Sequence, residues 1–207
     1  MKKVLVFSAH PDDLEIGCAG TCKKMMDKGY DVTSIILVKP SEEDNFYRNK
    51  KIVEKELQKS YSNSNFKLKI FDTDVHENGR PNLIVNNNTI SKLKNYLESA
   101  EIVILPNRND YHQDHRFTFE IAFPLIRNSK EIWCMHSYPY CLYHENITPN
   151  FFVDISEYWD FKYKLLNCYN SALSTEDISN IKKINAFYGC HISSKYAEAF
   201  TKLKSYA

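Results

Sequence analysis

The sequence has no apolar run approaching the roughly 20 residues that a membrane-crossing helix needs, and no surplus of charge of either sign. Lys and Arg number 27 against 26 Asp and Glu, a formal net charge of +1, with the lysines spread along the chain. A polyanion-binding surface needs clustered basic residues, so nucleic acid is not an expected partner. Met1-Lys2-Lys3 and the apolar residues after it begin like a secretory signal, but His10, Asp12 and Asp13 interrupt the run. The apolar stretch is too short for a signal core. A buried first strand, a cytoplasmic location and no membrane insertion are expected.

Paired cysteines are missing too. Cys18, Cys22, Cys134, Cys141, Cys168 and Cys190 contain no C-x-x-C, so a zinc site built on cysteine is not expected. Buried thiols fit a chain of this length better than disulfides, and Cys18 and Cys22 are spaced to share a helix face. The first strand is not followed by G-x-G-x-x-G, because Gly17 and Gly20 fall inside the next expected helix. Nor is there a linker, repeat or low-complexity stretch to divide the chain. Its 207 residues, 43% of them hydrophobic, suffice for one full core. One domain over residues 1–207 is expected.

What is present is an alternation of strand and helix signals. Strands are expected at Lys3–Ser8, Val32–Val38, Lys67–Phe71, Glu101–Leu105, Ile132–Ser137 and Phe151–Ile155. Helices are expected at Leu14–Lys28, Phe46–Tyr61, Ile90–Ser99, His115–Arg127 and Glu157–Ser171. Asp72–Asn87, with a turn at Asn78-Gly79, fits neither class, and the residues beyond Ser171 read as mixed. The pattern predicts an α/β, Rossmann-like fold with a mostly parallel sheet and helices on both faces.

Two motifs follow two of the strands. His10-Pro11-Asp12-Asp13 comes after the first, and His112-Gln113-Asp114-His115 after the fourth. In such sheets the first and fourth strands lie side by side at the switch point, where their C-terminal loops open a crevice for ligands. The topology therefore predicts that both motifs meet. Taken singly, each residue has a plainer reading: a surface histidine, or an aspartate capping a helix. Together at two strand ends, they point to a metal site.

Imidazole with carboxylate suits zinc or iron(II) better than magnesium or calcium. A catalytic zinc site takes three protein ligands and leaves one position open. His10, Asp13 and His115 make such a set, although spacing alone does not say which adjacent aspartate ligates and which faces the water. His112 and Asp114 form a candidate orienting pair, with the imidazole held protonated by the carboxylate to steady an oxyanion. Of the remaining histidines, His76, His144 and His191 read as structural or exposed. His136, after the fifth strand, is the best of the four for facing substrate.

The stretch Ala9-His10-Pro11-Asp12-Asp13-Leu14-Glu15-Ile16-Gly17-Cys18-Ala19-Gly20-Thr21 resembles the N-terminal signature of the LmbE/PIG-L family of metal-dependent N-deacetylases. Asp110–Arg116 resembles its H-x-D-H motif, and Tyr196-Ala197-Glu198-Ala199-Phe200 its closing segment. The resemblance implies a zinc enzyme, with iron(II) as an alternative in the cell, that removes an N-acetyl group from a small amino-sugar substrate. It implies His10, Asp13 and His115 as ligands, Asp12 as general base, and His112 as oxyanion stabiliser oriented by Asp114. Leu14-Glu15 follows the aspartates where many members have Glu directly. Arg48 is the nearest candidate for a sugar-reaching arginine, with Lys51 where its partner Glu would stand. Tyr169, Ser171 and Ala172 occupy the place of a His and a Ser-Gln pair. The C-terminal third, residues 140–207, is expected to shape the substrate pocket, and assembly into oligomers is left open. A non-catalytic sugar- or nucleotide-binding module and a metallophosphoesterase are the alternatives.

Overall fold

The computed structural model describes residues 2–38, 49–73, 82–97, 99–140 and 148–205. In chain order the elements are β1 (Lys2–Ser8), α1 (Asp13–Gly17), α2 (Ala19–Asp27), β2 (Tyr30–Ile36), α3 (Lys50–Ser64) and β3 (Lys67–Ile70). They continue with α4 (Asn87–Lys94), β4 (Ile102–Pro106), α5 (Gln113–Ile126), β5 (Glu131–Met135) and β6 (Phe151–Asp154). A 3-10 turn (Ser156–Tyr158), α6 (Trp159–Leu166), α7 (Thr175–Cys190) and β7 (Ala197–Lys204) complete the chain.

The strands form one sheet in the order β3-β2-β1-β4-β5-β7-β6. β1 to β5 run parallel, while β7 is antiparallel to both of its neighbours. The continuous apolar runs of the central strands bury both faces, as parallel sheets require. Val4, Val6, Ile102, Ile104, Trp133 and Met135 pack on one side with α1, α2, α3, α6 and α7. Leu5, Phe7, Val103, Leu105, Ile132 and Cys134 pack on the other with α4 and α5. The expected mostly parallel sheet covered on both faces is present, and β1 pairs with β4 at the switch point.

The structure departs from the expected elements where distant residues intervene. The single helix expected over Leu14–Lys28 is two helices, broken at Cys18 (φ −151°, ψ 16°). The break is held from the far end of the chain. The carboxylate of Glu198 accepts the backbone amides of Gly20 (3.1 Å) and Thr21 (2.7 Å) in the first turn of α2. Lys162 donates to the Ile16 carbonyl at 2.8 Å and to Glu198 Oε1 at 2.6 Å. Both side chains are fully buried. Gly17 and Gly20 serve this close packing: a Cβ on Gly17 would lie 2.5 Å from Met135 Sδ, and one on Gly20 2.8 Å from Ile155. α7 and β7 fall in the stretch that sequence patterning left mixed, because a buried charge such as Glu198 breaks the apolar signature of a strand.

Candidate metal centre

Both motifs sit just beyond the C-terminal ends of β1 and β4, and the pairing of these strands brings them together. The ligating atoms of His10, His112 and His115 lie within 4.8 Å of one another. Proximity alone groups these three imidazoles. Their nearest polar partners separate them into two kinds.

Asp13 opens α1, and its Oδ2 accepts the His10 backbone amide at 2.8 Å. This turns Oδ1 toward the imidazoles, 3.2 Å from His115 Nε2 and 3.8 Å from His10 Nδ1. The other nitrogen of each ring faces a second carboxylate: His115 Nδ1 is 2.9 Å from Asp110 Oδ2, and His10 Nε2 is 3.0 Å from Asp114 Oδ2. A histidine that donates one N–H to a carboxylate keeps its other nitrogen's lone pair free, the usual arrangement behind a metal ligand. His10 Nδ1, His115 Nε2 and Asp13 Oδ1 therefore converge as a set that could hold a divalent ion.

His112 is the reverse case. It is the N-cap residue of α5, and its Nδ1 accepts the backbone amide of Asp114 at 3.2 Å. An imidazole whose Nδ1 lone pair is committed carries its proton on Nε2, so Nε2 is a donor and has no lone pair for a metal. The expected pair of His112 and Asp114 therefore meets through the Asp114 backbone. The Asp114 carboxylate pairs with His10, and it is the Asp114 backbone that orients His112. Burial first, then the positive charge of His10 and His115, push the pKa of this ring below the ordinary histidine value.

The two carboxylate-backed histidines shift the opposite way from His112. Burial works against the charge of His10, but hydrogen bonds to Asp114 and Asp13 outweigh it and hold the pKa at about 9. For His115, burial is likewise overcome by Asp13 and Asp110, and the pKa stands at about 10. Asp13 is held well below the usual carboxylate range: burial opposes this, and His115 and His10 prevail. Asp12, the N-cap residue of α1, is buried beside this group.

Asp110 carries more of the site than its motif suggested. Its Oδ1 accepts the His112 amide at 2.8 Å while Oδ2 backs His115, and Arg116 Nη1 braces the loop by donating to the carbonyls of Asp110 and Tyr111, each at 2.7 Å. The signal was the alternation of acid and imidazole in Asp110-x-His112-x-Asp114-His115. Tyr140 went unnoticed. Its ring centroid lies 5.2 Å from that of His112 and 5.4 Å from that of His115. His136 is buried after β5 with its Nε2 2.7 Å from Thr201 Oγ1, and it does not join the histidine cluster. Arg48, expected to contact substrate, lies outside the described residues, as do His76, His144, Cys141 and the Asn78-Gly79 turn.

Beneath the centre, Glu15 is fully buried, its Oε1 accepting the hydroxyls of Ser60 (2.5 Å) and Tyr169 (2.9 Å). Burial pushes its pKa up to about 8 against the pull of both hydrogen bonds, and the Asp12 carboxylate adds to the rise. Glu56, from α3, accepts the Ser171 amide at 2.7 Å and its hydroxyl at 2.6 Å. Tyr169 and Ser171, in the place of the family's His and Ser, thus tie the end of α6 to α1 and α3.

Comparison with known proteins places the site in context. The chain is 26% identical to diacetylchitobiose deacetylase of Thermococcus kodakarensis over 221 residues, covering 96% of this chain and 82% of that one. The structure resembles that of N,N'-diacetylchitobiose deacetylase from Pyrococcus horikoshii (TM-score 0.77, 21% identity, 98% of this chain and 84% of that one). It also resembles the 4-carboxy-2-hydroxymuconate hydratase GalB of Pseudomonas putida (TM-score 0.78, 17% identity, 100% and 98%). The architecture alone therefore does not select a reaction. The model of the PIG-L family, described as GlcNAc-PI de-N-acetylase, matches residues 5–126, a stretch that holds both His/Asp motifs. With more than half of its length matched in this way, the chain belongs to the PIG-L family.

Proposed function

We propose that this protein is a metal-dependent deacetylase that hydrolyses the N-acetyl amide of an amino sugar or its conjugate, giving acetate and a free amine. The observation that carries the reading is the division among the three imidazoles. Two, once they give up a proton, present lone pairs beside a carboxylate, and the third presents an N–H. Amide hydrolysis needs both kinds.

His10 Nδ1, Asp13 Oδ1 and His115 Nε2 are the proposed ligands, and two imidazoles with one carboxylate suit zinc, with iron(II) as the alternative. A bound ion would polarise the amide carbonyl and lower the pKa of water to roughly 7. Asp12 takes a proton from the attacking water. His112 Nε2–H donates to the carbonyl oxygen as charge develops there. Asp12 then passes its proton to the nitrogen as the C–N bond breaks, so the base is restored with each turnover. Asp114 acts as a positioning residue on two rings at once, through its carboxylate on His10 and its amide on His112. The substrate class is supported by family membership and by the diacetylchitobiose deacetylase relatives. The five described cysteines are free thiols, which suits a reducing, cytoplasmic setting.

The test is release of free amine from N-acetylglucosamine, its UDP- and aglycone-linked forms and diacetylchitobiose by zinc- or iron(II)-loaded protein. Chelator should abolish release and metal should restore it. Asp12→Ala should keep the metal and lower turnover by about 10²–10⁴-fold. Metal bound at one ion per chain with no amine released from any of these substrates would overturn the reading. Loss of metal from Asp12→Ala would move Asp12 into the ligand set.

A further inference from the structure

We infer that Tyr140 is the specificity-determining residue for the acyl group, its ring forming the wall that limits the substituent to about the size of acetyl. The inference rests on the deacetylase reading above. Tyr140 is half-buried, and its ring meets the His112 and His115 rings almost at right angles (68° and 88°). It therefore stands against the second-motif side of the centre, whereas Asp12 and His10 belong to the first loop.

The loop that carries Tyr140 is held in place. His136 leads out of β5 with its amide on the Ala199 carbonyl (3.0 Å) and its ring on Thr201 (2.7 Å). Two residues on, the Tyr138 hydroxyl lies 3.4 Å from Asp177 Oδ1 and accepts from Asn180 Nδ2 at 3.3 Å, both on α7. β7 and α7 thus hold the residues that lead to Tyr140.

The chemistry of the amide decides what faces that wall. The carbonyl carbon bears an oxygen, a nitrogen and the acyl chain in one plane, each about 120° apart. The oxygen must reach His112 Nε2. The nitrogen must face Asp12, which returns a proton to it as it leaves. The acyl chain is then the remaining direction, away from the first loop and across the His112–His115 pair to Tyr140. A methyl fits against an aromatic edge there, and each further methylene must displace the ring.

The experiment compares hydrolysis of N-acetyl-, N-propionyl- and N-butyrylglucosamine by the metal-loaded wild type, Tyr140→Ala and Tyr140→Phe. In parallel, cobalt(II)-loaded proteins are titrated with acetate, propionate and butyrate and followed by visible absorption. The wild type should lose about tenfold in kcat/KM per added methylene, and carboxylate binding should weaken along the same series. Tyr140→Ala should flatten both series, while Tyr140→Phe should keep the wild-type ratios, since the ring and not the hydroxyl forms the wall. Tyr140→Leu should fall between and serves if the alanine variant does not fold. The same chain-length dependence in wild type and Tyr140→Ala, or a wild type indifferent to chain length, would overturn the inference. If no N-acyl sugar is cleaved, the deacetylase reading falls, and the carboxylate series alone decides the role of Tyr140.

Discussion

Around β1 the chain builds two polar clusters, each setting carboxylates against nitrogen bases, and they are balanced differently. In the metal centre, Asp13, Asp110 and Asp114 lie against the imidazoles of His10 and His115, and the carboxylates outnumber any cation that the chain supplies permanently. Under α2, Glu198 faces Lys162, and both ends of the pair are further satisfied by backbone groups of α1 and α2. The open cluster recruits its positive charge, as protons on His10 and His115 or as a metal ion. The sealed cluster holds its own lysine, bonded to Glu198 and to the Ile16 carbonyl. A centre that exchanges its cation needs partners that can give up a proton, and the brace behind it needs a cation tied to the chain by its own hydrogen bonds.

The sharpest way to break this comparison is to remove one member of each cluster. His115→Ala deletes a proposed ligand and leaves Asp13 and Asp110 facing each other. Bound metal should fall from about one ion per chain to near zero and turnover should vanish, while the protein still folds. Elemental analysis beside circular dichroism checks this. Lys162→Met should do the opposite. Leaving Glu198 buried without its cation costs about 3–5 kcal/mol, read as a drop in the urea midpoint, and the folded fraction should still take up metal. Adding Glu198→Gln to Lys162→Met should recover part of the loss. The recovery is incomplete because glutamine offers one acceptor oxygen to two backbone amides. Equal metal loss in both single variants would erase the distinction between centre and brace.

The pH dependence sharpens the contrast, and its sign differs with and without metal. His10 and His115 are raised to about 9 and about 10 from an ordinary value near 6.5. In metal-free protein their contribution to stability is fully present below pH 6.5 and is lost as pH rises through 9 to 10. A metal needs the neutral rings, so binding near pH 7 should release up to about two protons. Apparent affinity should then rise by up to about a hundredfold per pH unit up to roughly pH 9, by about tenfold from there to roughly pH 10, and level off above it. Calorimetry in buffers of different ionisation enthalpy counts the protons. A count of zero at pH 7 would mean that the rings are already neutral and that the carboxylates do not hold them charged.

How much of this was legible in the sequence depended on distance along the chain. The ligand motifs were readable because a metal gathers its donors into short segments, and the switch-point rule predicted that the two segments meet. The state of His112 was not, since it turns on where α5 begins: a helix starting one turn later would leave its Nδ1 free. The pairing of Lys162 with Glu198 was invisible for a plainer reason. Patterning treats charge as solvent-facing, and nothing local marks a lysine that is neutralised by a glutamate 36 positions away. Tyr140 required the path of a loop, which no periodicity encodes.

Between these extremes lies Glu15, part of the brace in burial but of the centre in kind, since it is a carboxyl that can titrate. Tyr169→Phe removes one hydroxyl from its Oε1 and leaves Ser60 in place. The cost should be small, about 1–2 kcal/mol, as for one neutral hydrogen bond to a buried group. The direction of the pH effect is the more informative quantity. Glu15 is raised in the folded state, the reverse of the usual carboxylate, so stability declines as pH climbs from its unfolded value near 4.5 to about 8. The Tyr169 hydroxyl holds that value down. Its removal should let the decline run to higher pH, measured as the urea midpoint from pH 5 to 9 on metal-free protein. A midpoint that shifts equally at every pH would show that Tyr169 only fills space. A pH-dependent shift would mark it as the hydrogen bond that sets the charge of the carboxyl beneath Asp12.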